Sequence, residues 1–375
     1  MPSSIPVLQP ERTALIAQAR HDVIETAAAD SPRVAPWITR SWQRCLSAGH
    51  RPQQRVSFDA VSARHAQRMS EQSRSLVAAA GPVLDRLARA IADTHYFAIL
   101  TDAHGIVVDT RGVPANAERV ATDIARVGVD LSERAVGTTA IGAALTELQP
   151  VWLHRGEHFF HDTGMFSCAG APLFGHEGQC VGMLDVSGVN VVERPELKQL
   201  ASLSARSIEN ALVLQQPHDL LVRLNWPGWG GHAESEGLLC LDDDGHVTAS
   251  NAAAREMVSQ PAALTTGSSP LHASDLFALP WSMLHDAARR ADGSVIEVPL
   301  WSGLRLQARA QAGRESDGDS VGSVGGPVPR PRLRDVETAL IRKAVSDARG
   351  NVAEAARVLG ISRATVYRKL GHGGR

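Results

Sequence analysis

Three histidines and an acid stand close together in the segment HRGEHFFH. His154, His158 and His161 fall at i, i+4 and i+7, with Glu157 among them. On one helix that spacing would align donors for a transition metal. Gly156 and the Phe159–Phe160 pair argue instead for an irregular segment, in which the histidines are surface or pocket side chains and no metal is held. The four cysteines, Cys45, Cys168, Cys180 and Cys240, have no close paired spacing. That excludes a cysteine zinc site and a disulfide framework. A redox-active thiol needs basic neighbours, and Cys168 and Cys240 sit in apolar runs without them. No nucleophile–base pair and no carboxylate pair stands out, so the chain reads as a non-enzyme without cofactors. A thiol-dependent enzyme using Cys168 or Cys180 is kept as an alternative.

The sharpest signal is at the other end of the chain, in Leu333–Leu370. A first helix places Leu333, Val336, Leu340 and Ala344 on one face. Asn351 caps a short second helix through its side-chain oxygen. Val352, Ala355, Ala356 and Leu359 then recur at i, i+3, i+4 and i+7. Gly360 permits a tight turn, and Ser362 caps a third helix that buries Val366 and Leu370. The outer face of that helix presents Arg363, Thr365, Tyr367, Arg368 and Lys369. This is the layout of a helix-turn-helix whose last helix enters the major groove. Arg363 sits where a bidentate bond to guanine fits.

Charge supports the same reading. Residues 327–375 hold 11 of the 38 Lys and Arg and 4 of the 40 Asp and Glu, a net +7 that leaves −9 for the rest. A basic end module on an acidic body implies a polyanion partner for that module. The 375 residues suit two or three domains, and 43% hydrophobic content suits a buried core. No signal layout and no apolar run of roughly 20 residues is visible, so a cytoplasmic protein without membrane contact is expected.

The elements that must position these groups form an α+β pattern. Residues 1–70 read as a helical segment, with Trp37, Ile38, Trp42 and Leu46 at roughly helical spacing. Residues 71–215 read as one domain. A helix at about Glu71–Asp93 leads to strands at Tyr96–Asp102, Ile106–Thr110, Ser167–Phe174 and Gln179–Gly188. A closing helix starts at Pro195 and carries Leu197, Leu200, Leu203, Ile208 and Leu212. Residues 216–310 read as a smaller α+β unit with hairpins at Gly237–Asn251 and before Ala310. Residues 311–332 are a Gly/Ser/Pro-rich flexible linker to the module at 333–375.

Five segments carry a resemblance. RSWQRCLSAG (Arg40–Gly49), LSERAVGTTAIGAAL (Leu131–Leu145), PVWLHRGEHF (Pro150–Phe159) and CAGAPLF with GMLDVSG (Cys168–Gly188) resemble the sensor half of acetoin-catabolism-regulator type bacterial activators. GNVAEAARVLGISRATVYRKL resembles their Fis-type helix-turn-helix. The resemblance implies a GAF-like sensor domain, a PAS-like unit after it and a homodimer on a palindromic operator in double-stranded DNA. It assigns base reading to Arg363 and phosphate contacts to Ser362, Thr365, Tyr367 and Arg368. It also implies a small organic effector, such as a hydroxyketone or alcohol. The expected pocket wall includes Trp152, His154, His158, Phe159, Phe166 and Cys168. Such activators are sigma-54-dependent and carry an ATPase with a Gly-rich loop ending in Lys and Ser or Thr. The three lysines here, Lys198, Lys343 and Lys369, follow Leu197, Arg342 and Arg368, so no such loop is present. The expectation is a regulator without its own ATPase, which touches RNA polymerase or a full-length paralogous activator. The alternative is an accessory or antagonist subunit of such an activator.

Overall fold

The computed structural model describes residues 9–228, 235–258, 271–290 and 295–313. The chain divides into two compact units, Met1–Ser316 and Asp317–Arg375, and every described residue belongs to the first. The expected helix-turn-helix, with Ser362, Arg363, Thr365, Tyr367, Arg368 and Lys369, lies outside the described residues, as does most of the expected linker.

Two five-stranded antiparallel sheets organise the described part. The first contains β1 (Tyr96–Asp102), β2 (Val107–Arg111), β3 (Val151–His154), β4 (Phe166–Phe174) and β5 (Cys180–Val189), in the order β2-β1-β5-β4-β3. Alternation along each strand sorts its side chains onto two faces. Tyr96, Ala98, Leu100, Leu184 and Val186 point to one face and pack under two long helices, α4 (Arg74–Ile91) and α8 (Leu197–Leu214). Along α8 the residues most deeply buried include Ala201 and Ala205, not the leucines at 200 and 203. Small side chains there let the helix lie close to the sheet.

Phe97, Ile99, Phe166, Cys168 and Met183 point to the opposite face. Three short helices cover it: α5 (Arg119–Ile124), α6 (Glu133–Val136) and α7 (Ala140–Glu147). The N-terminal helices α1 (Gln9–Arg20) and α2 (Pro36–Ser47) join the same core through Ile16, Ala19, Ile38, Trp42 and Cys45. Pro36 opens α2, where a missing N–H costs nothing and the ring pre-sets φ. A shorter helix, α3 (Ala63–Gln72), precedes α4.

The second sheet contains β6 (Leu220–Asn225), β7 (Gly237–Leu241), β8 (Val247–Ser250), β9 (Ile296–Pro299) and β10 (Arg305–Ala312), in the order β8-β7-β6-β10-β9. Counting β6 as its last strand gives the same order as the first sheet. Both sheets turn their leading hairpin on an aspartate. Asp102 Oδ1 accepts from the amides of His104 and Ile106, and Asp242 Oδ1 from those of Asp244 and His246. α9 (Ala252–Met257), α10 (Ala273–Leu276) and α11 (Ser282–Arg289) cover one face of this sheet. Val213, near the end of α8, packs with Leu221, Leu238, Cys240 and Ala249 on its other face. The same helix therefore contributes to the cores of both sheets.

Candidate ligand-binding site

A cavity lies between the first sheet and its short helices. Ile99, Phe166, Cys168, Asp185 and Ser187 form the floor. Val136, Thr139, Ala140 and Ile141, from α6, α7 and the link between them, form the roof. His158 and Thr163 close one side. The walls are apolar apart from a line of polar groups on the floor. Strand pairing makes that line: Cys168 on β4 stands opposite Ser187 on β5, and Asp185 and Ser187 share one face by alternation.

The polar groups are hydrogen-bonded in series. His158 donates from Nδ1 to the Arg155 carbonyl at 2.9 Å, which leaves Nε2 as an acceptor. The Cys168 thiol faces that nitrogen at 3.6 Å. Ser187 Oγ lies 3.1 Å from the Cys168 sulfur and donates to Asp185 Oδ2 at 2.5 Å. The other oxygen, Asp185 Oδ1, is buried and has no hydrogen-bond partner in the described structure. An unpaired buried polar atom is costly, and this one is available to a polar group that reaches the cavity floor.

Burial sets the protonation of the line. It pushes the Asp185 carboxyl up to about 7, against the bond from Ser187. It pushes His158 down to about 4. It also raises the Cys168 thiol well above its ordinary value, with the Asp185 carboxyl adding to the shift. A neutral imidazole beside an un-ionised thiol is not the ion pair that activates a nucleophile.

The segment carrying His158 is held from the N-terminus. Arg20, at the end of α1, donates to the carbonyls of Gly156 at 3.0 Å, His158 at 2.5 Å and Phe159 at 2.8 Å. Its guanidinium lies over the Trp42 ring, 5.5 Å from the centroid. Trp42 donates its indole N–H to the Glu157 carbonyl at 2.9 Å. Glu157 in turn accepts from Arg12 at 3.0 Å and from the His154 amide at 2.7 Å. Burial nevertheless raises its carboxyl above the usual range.

The roof rests directly on the floor at Gly170. A Cβ there would stand 2.9 Å from the Ala140 carbonyl oxygen and 2.7 Å from Met183 Cε. Gly170→Ala is expected to destabilise the chain by about 1–3 kcal/mol through overpacking. A urea-unfolding midpoint equal to that of the wild type would show that α7 does not sit there.

Of the six pocket residues expected from sequence, His158, Phe166 and Cys168 line the cavity. Trp152 and His154 do not, because they alternate with Val151 and Leu153 on β3 and face the other side of the sheet. They stack on each other at 6.4 Å, and His154 Nδ1 lies 2.5 Å from Ser167 Oγ. Trp152 packs against the α4–α8 core. Phe159 is fully buried against Phe160, with ring centroids 5.1 Å apart, and belongs to the core. The segment holding the three histidines is not one helix: two 3-10 turns, Arg155–Glu157 and His161–Thr163, interrupt it. Among the described residues no three His, Cys, Asp or Glu side chains are grouped to hold a metal ion. Sequence reasoning missed Asp185 and Ser187. The available signal was an acid and a hydroxyl two residues apart in the otherwise apolar strand GMLDVSG.

A mixed α/β domain followed by a basic segment with the pattern of a helix-turn-helix is the layout of a DNA-binding transcription regulator. Residues 13–210 match the family of the MimR N-terminal domain, more than half of the chain, and the chain belongs to that family. Residues 332–372 match the bacterial regulatory proteins of the Fis family. The chain is 27% identical over 183 residues to the acetoin dehydrogenase operon transcriptional activator AcoR of Bacillus subtilis, covering 49% of this chain and 30% of that one. It is 30% identical over 197 residues to the propane 2-monooxygenase operon transcriptional activator MimR of Mycolicibacterium smegmatis, covering 52% and 33%. Each match thus spans about a third of the relative's length. Among solved structures, the E. coli DhaR(N)–DhaL complex contains a chain similar at a TM-score of 0.45 and 16% identity, over 74% of this chain and 99% of that one.

Proposed function

We propose that this chain is a transcription regulator that binds DNA through its C-terminal module and answers to a small uncharged organic effector held in the first sheet's cavity. The observation that carries the reading is the succession, in one chain, of the MimR-type N-terminal domain and the Fis-family segment at 332–372. The first sheet serves as a GAF-like sensor within residues 71–215. Residues 216–310 form a PAS-like unit, and 311–332 link them to the reader at 333–375. The effector carries a hydroxyl, as an alcohol or hydroxyketone does. A hydroxyl both donates and accepts, which suits an Asp185 carboxyl that gains or loses its proton near pH 7. The chain acts as a homodimer on a palindrome, with Arg363 reading a base, Ser362, Thr365, Tyr367 and Arg368 gripping phosphates, and Lys369 on the same DNA-binding face.

Selection of bound fragments from a genomic pool, with purified protein and no ATP, tests this. A palindromic motif is expected. Arg363→Ala is expected to weaken binding to it by about 1–3 kcal/mol and to relax one base position. Unchanged affinity and preference in that variant would show that another element reads the DNA. The lack of a Gly-rich lysine loop favours a second reading. In it, the chain is an accessory or antagonist of a full-length activator, and a motif would be recovered only when that partner is added.

A further inference from the structure

The cavity, about 30 Å³ in volume, holds roughly two waters and falls far below the roughly 300 Å³ at which small-molecule pockets begin. An organic effector enters only if the roof moves. The roof is tied down at both ends by one helix. Arg44 of α2 makes a two-pronged bond to Glu133 of α6, Nε to Oε1 at 2.6 Å and Nη2 to Oε2 at 2.9 Å. Its third nitrogen reaches Glu147, the last residue of α7, at 3.1 Å. Arg40 pairs with the same Glu147. Ser41 donates to Glu133 Oε2 at 2.6 Å and lies 2.7 Å from Thr138 Oγ1, in the link between α6 and α7. Both carboxylates are largely covered, with side chains 14% and 11% exposed. Forked, partly buried pairs of this kind contribute where isolated surface pairs do not. Within the roof, α6 and α7 are packed closely against each other. A Cβ on Gly142 of α7 would stand 2.8 Å from the Glu133 amide nitrogen, so the two helices are in backbone contact there.

We infer that Arg44, with Ser41 and Arg40, is the positioning clasp of the effector cavity: it holds the α6–α7 roof shut, and effector admission proceeds through its release. This rests on the reading of the cavity as the effector site. Two segments singled out in the sequence, RSWQRC and SERAVGTTA, are the two halves of the clasp.

Cys168 on the cavity floor provides a readout that needs no effector. The full-length protein is exposed to methyl methanethiolsulfonate, a small neutral thiol reagent, and labelling of each cysteine is timed by peptide mass spectrometry. Cys240, fully buried in the second sheet, is the reference for general loosening. Labelling of a buried thiol follows the population of the opened form. Loss of the fork in Arg44→Ala is expected to speed labelling of Cys168 by about 10–100-fold, with Cys240 unchanged. Arg44→Lys, which keeps the charge and loses the fork, should fall between that and the wild type. It also serves if the alanine variant does not fold. The clasp is overturned if Cys168 labels at the wild-type rate in both variants, or if Cys168 and Cys240 accelerate together. Protection of wild-type Cys168 by 1-butanol or hydroxyacetone tests the site reading separately. Its failure would count against the effector site and leave the clasp result standing.

Discussion

Replacing Trp42 with alanine should lower the unfolding free energy by about 3–5 kcal/mol, the range for truncating a fully buried large aromatic side chain. Trp42 is 0% exposed and stands where three parts of the chain meet: α2, the end of α1, and the 155–160 segment. Its ring lies under the Arg20 guanidinium, and its N–H satisfies the Glu157 carbonyl. Truncation would open a cavity, leave that carbonyl without its donor and remove the surface that supports a half-buried cation. Burial already pulls the Arg20 pKa down, so this cation has lost part of its hydration and leans on its protein partners. Trp42→Phe separates the contributions. It keeps most of the ring volume and loses the indole N–H, so its cost should be nearer the roughly 1 kcal/mol of a single hydrogen bond. Urea titration followed by circular dichroism gives both values. If Trp42→Ala shifted the midpoint no more than Trp42→Phe, the ring would not be part of the core that unfolds.

The second large effect concerns pH. Asp185 titrates from 3.8 in a free chain to about 7 in the fold. Between those values the folded protein holds a proton that the unfolded chain has released, so this group makes stability fall as pH rises through the window. His158 has the opposite sign. Its pKa drops from 6.5 to about 4, so the unfolded chain holds the extra proton and stability rises with pH between those values. The two contributions offset each other over most of the acidic range. Glu209, raised to about 7 by burial, adds a further contribution of the Asp185 kind. Asp185→Asn removes one partner of the balance. Relative to the wild type, the variant should gain stability with rising pH by up to about 1.4 kcal/mol per unit between pH 4 and 7, and nothing further above that. The slope is the readout, so any fixed cost of burying the amide does not matter. Parallel stability curves for the two proteins across pH 4–7 would show that Asp185 is ionised in the fold.

The legible parts of the fold were those with a local signature. The apolar run YFAILTD and the strands GLLCL and LQARA lie where alternation and turn residues put them. β3 was not legible as a strand, because VWLH is four residues long and runs straight into HRGEHFFH. β6 was not read as a strand, although Pro217 before it and Pro227–Gly228 after it frame LLVRLN as turn residues frame a strand. Two residues of the expected pocket wall, Trp152 and His154, lie elsewhere for a single reason. Residues close in sequence were read as close in space, whereas period-two alternation sends Trp152 and His154 to the opposite side of the sheet from Leu153. The clasp was beyond sequence reasoning altogether, since Arg44 and Glu133 are 89 residues apart. The helix-turn-helix is legible as a motif because it compresses caps, turn and a basic face into one short stretch, and residues 332–372 match the Fis family.

The helix that packs under the first sheet and continues to the second has a consequence for how the protein can be divided. Its last turn places Val213 against Leu221, Leu238, Cys240 and Ala249. Two residues of the preceding turn face the second sheet as well. Glu209 accepts from the Phe174 amide at 2.9 Å while lying beside Arg255, and Asn210 accepts from Asn251 at 2.7 Å. A scissor cut at residue 215, where the sequence suggests a seam, would strip the second sheet of part of its apolar cover. A fragment starting there would expose Leu238 and Cys240 and invite self-association. The two sheets share a rafter, and neither can be lifted out with its own roof intact.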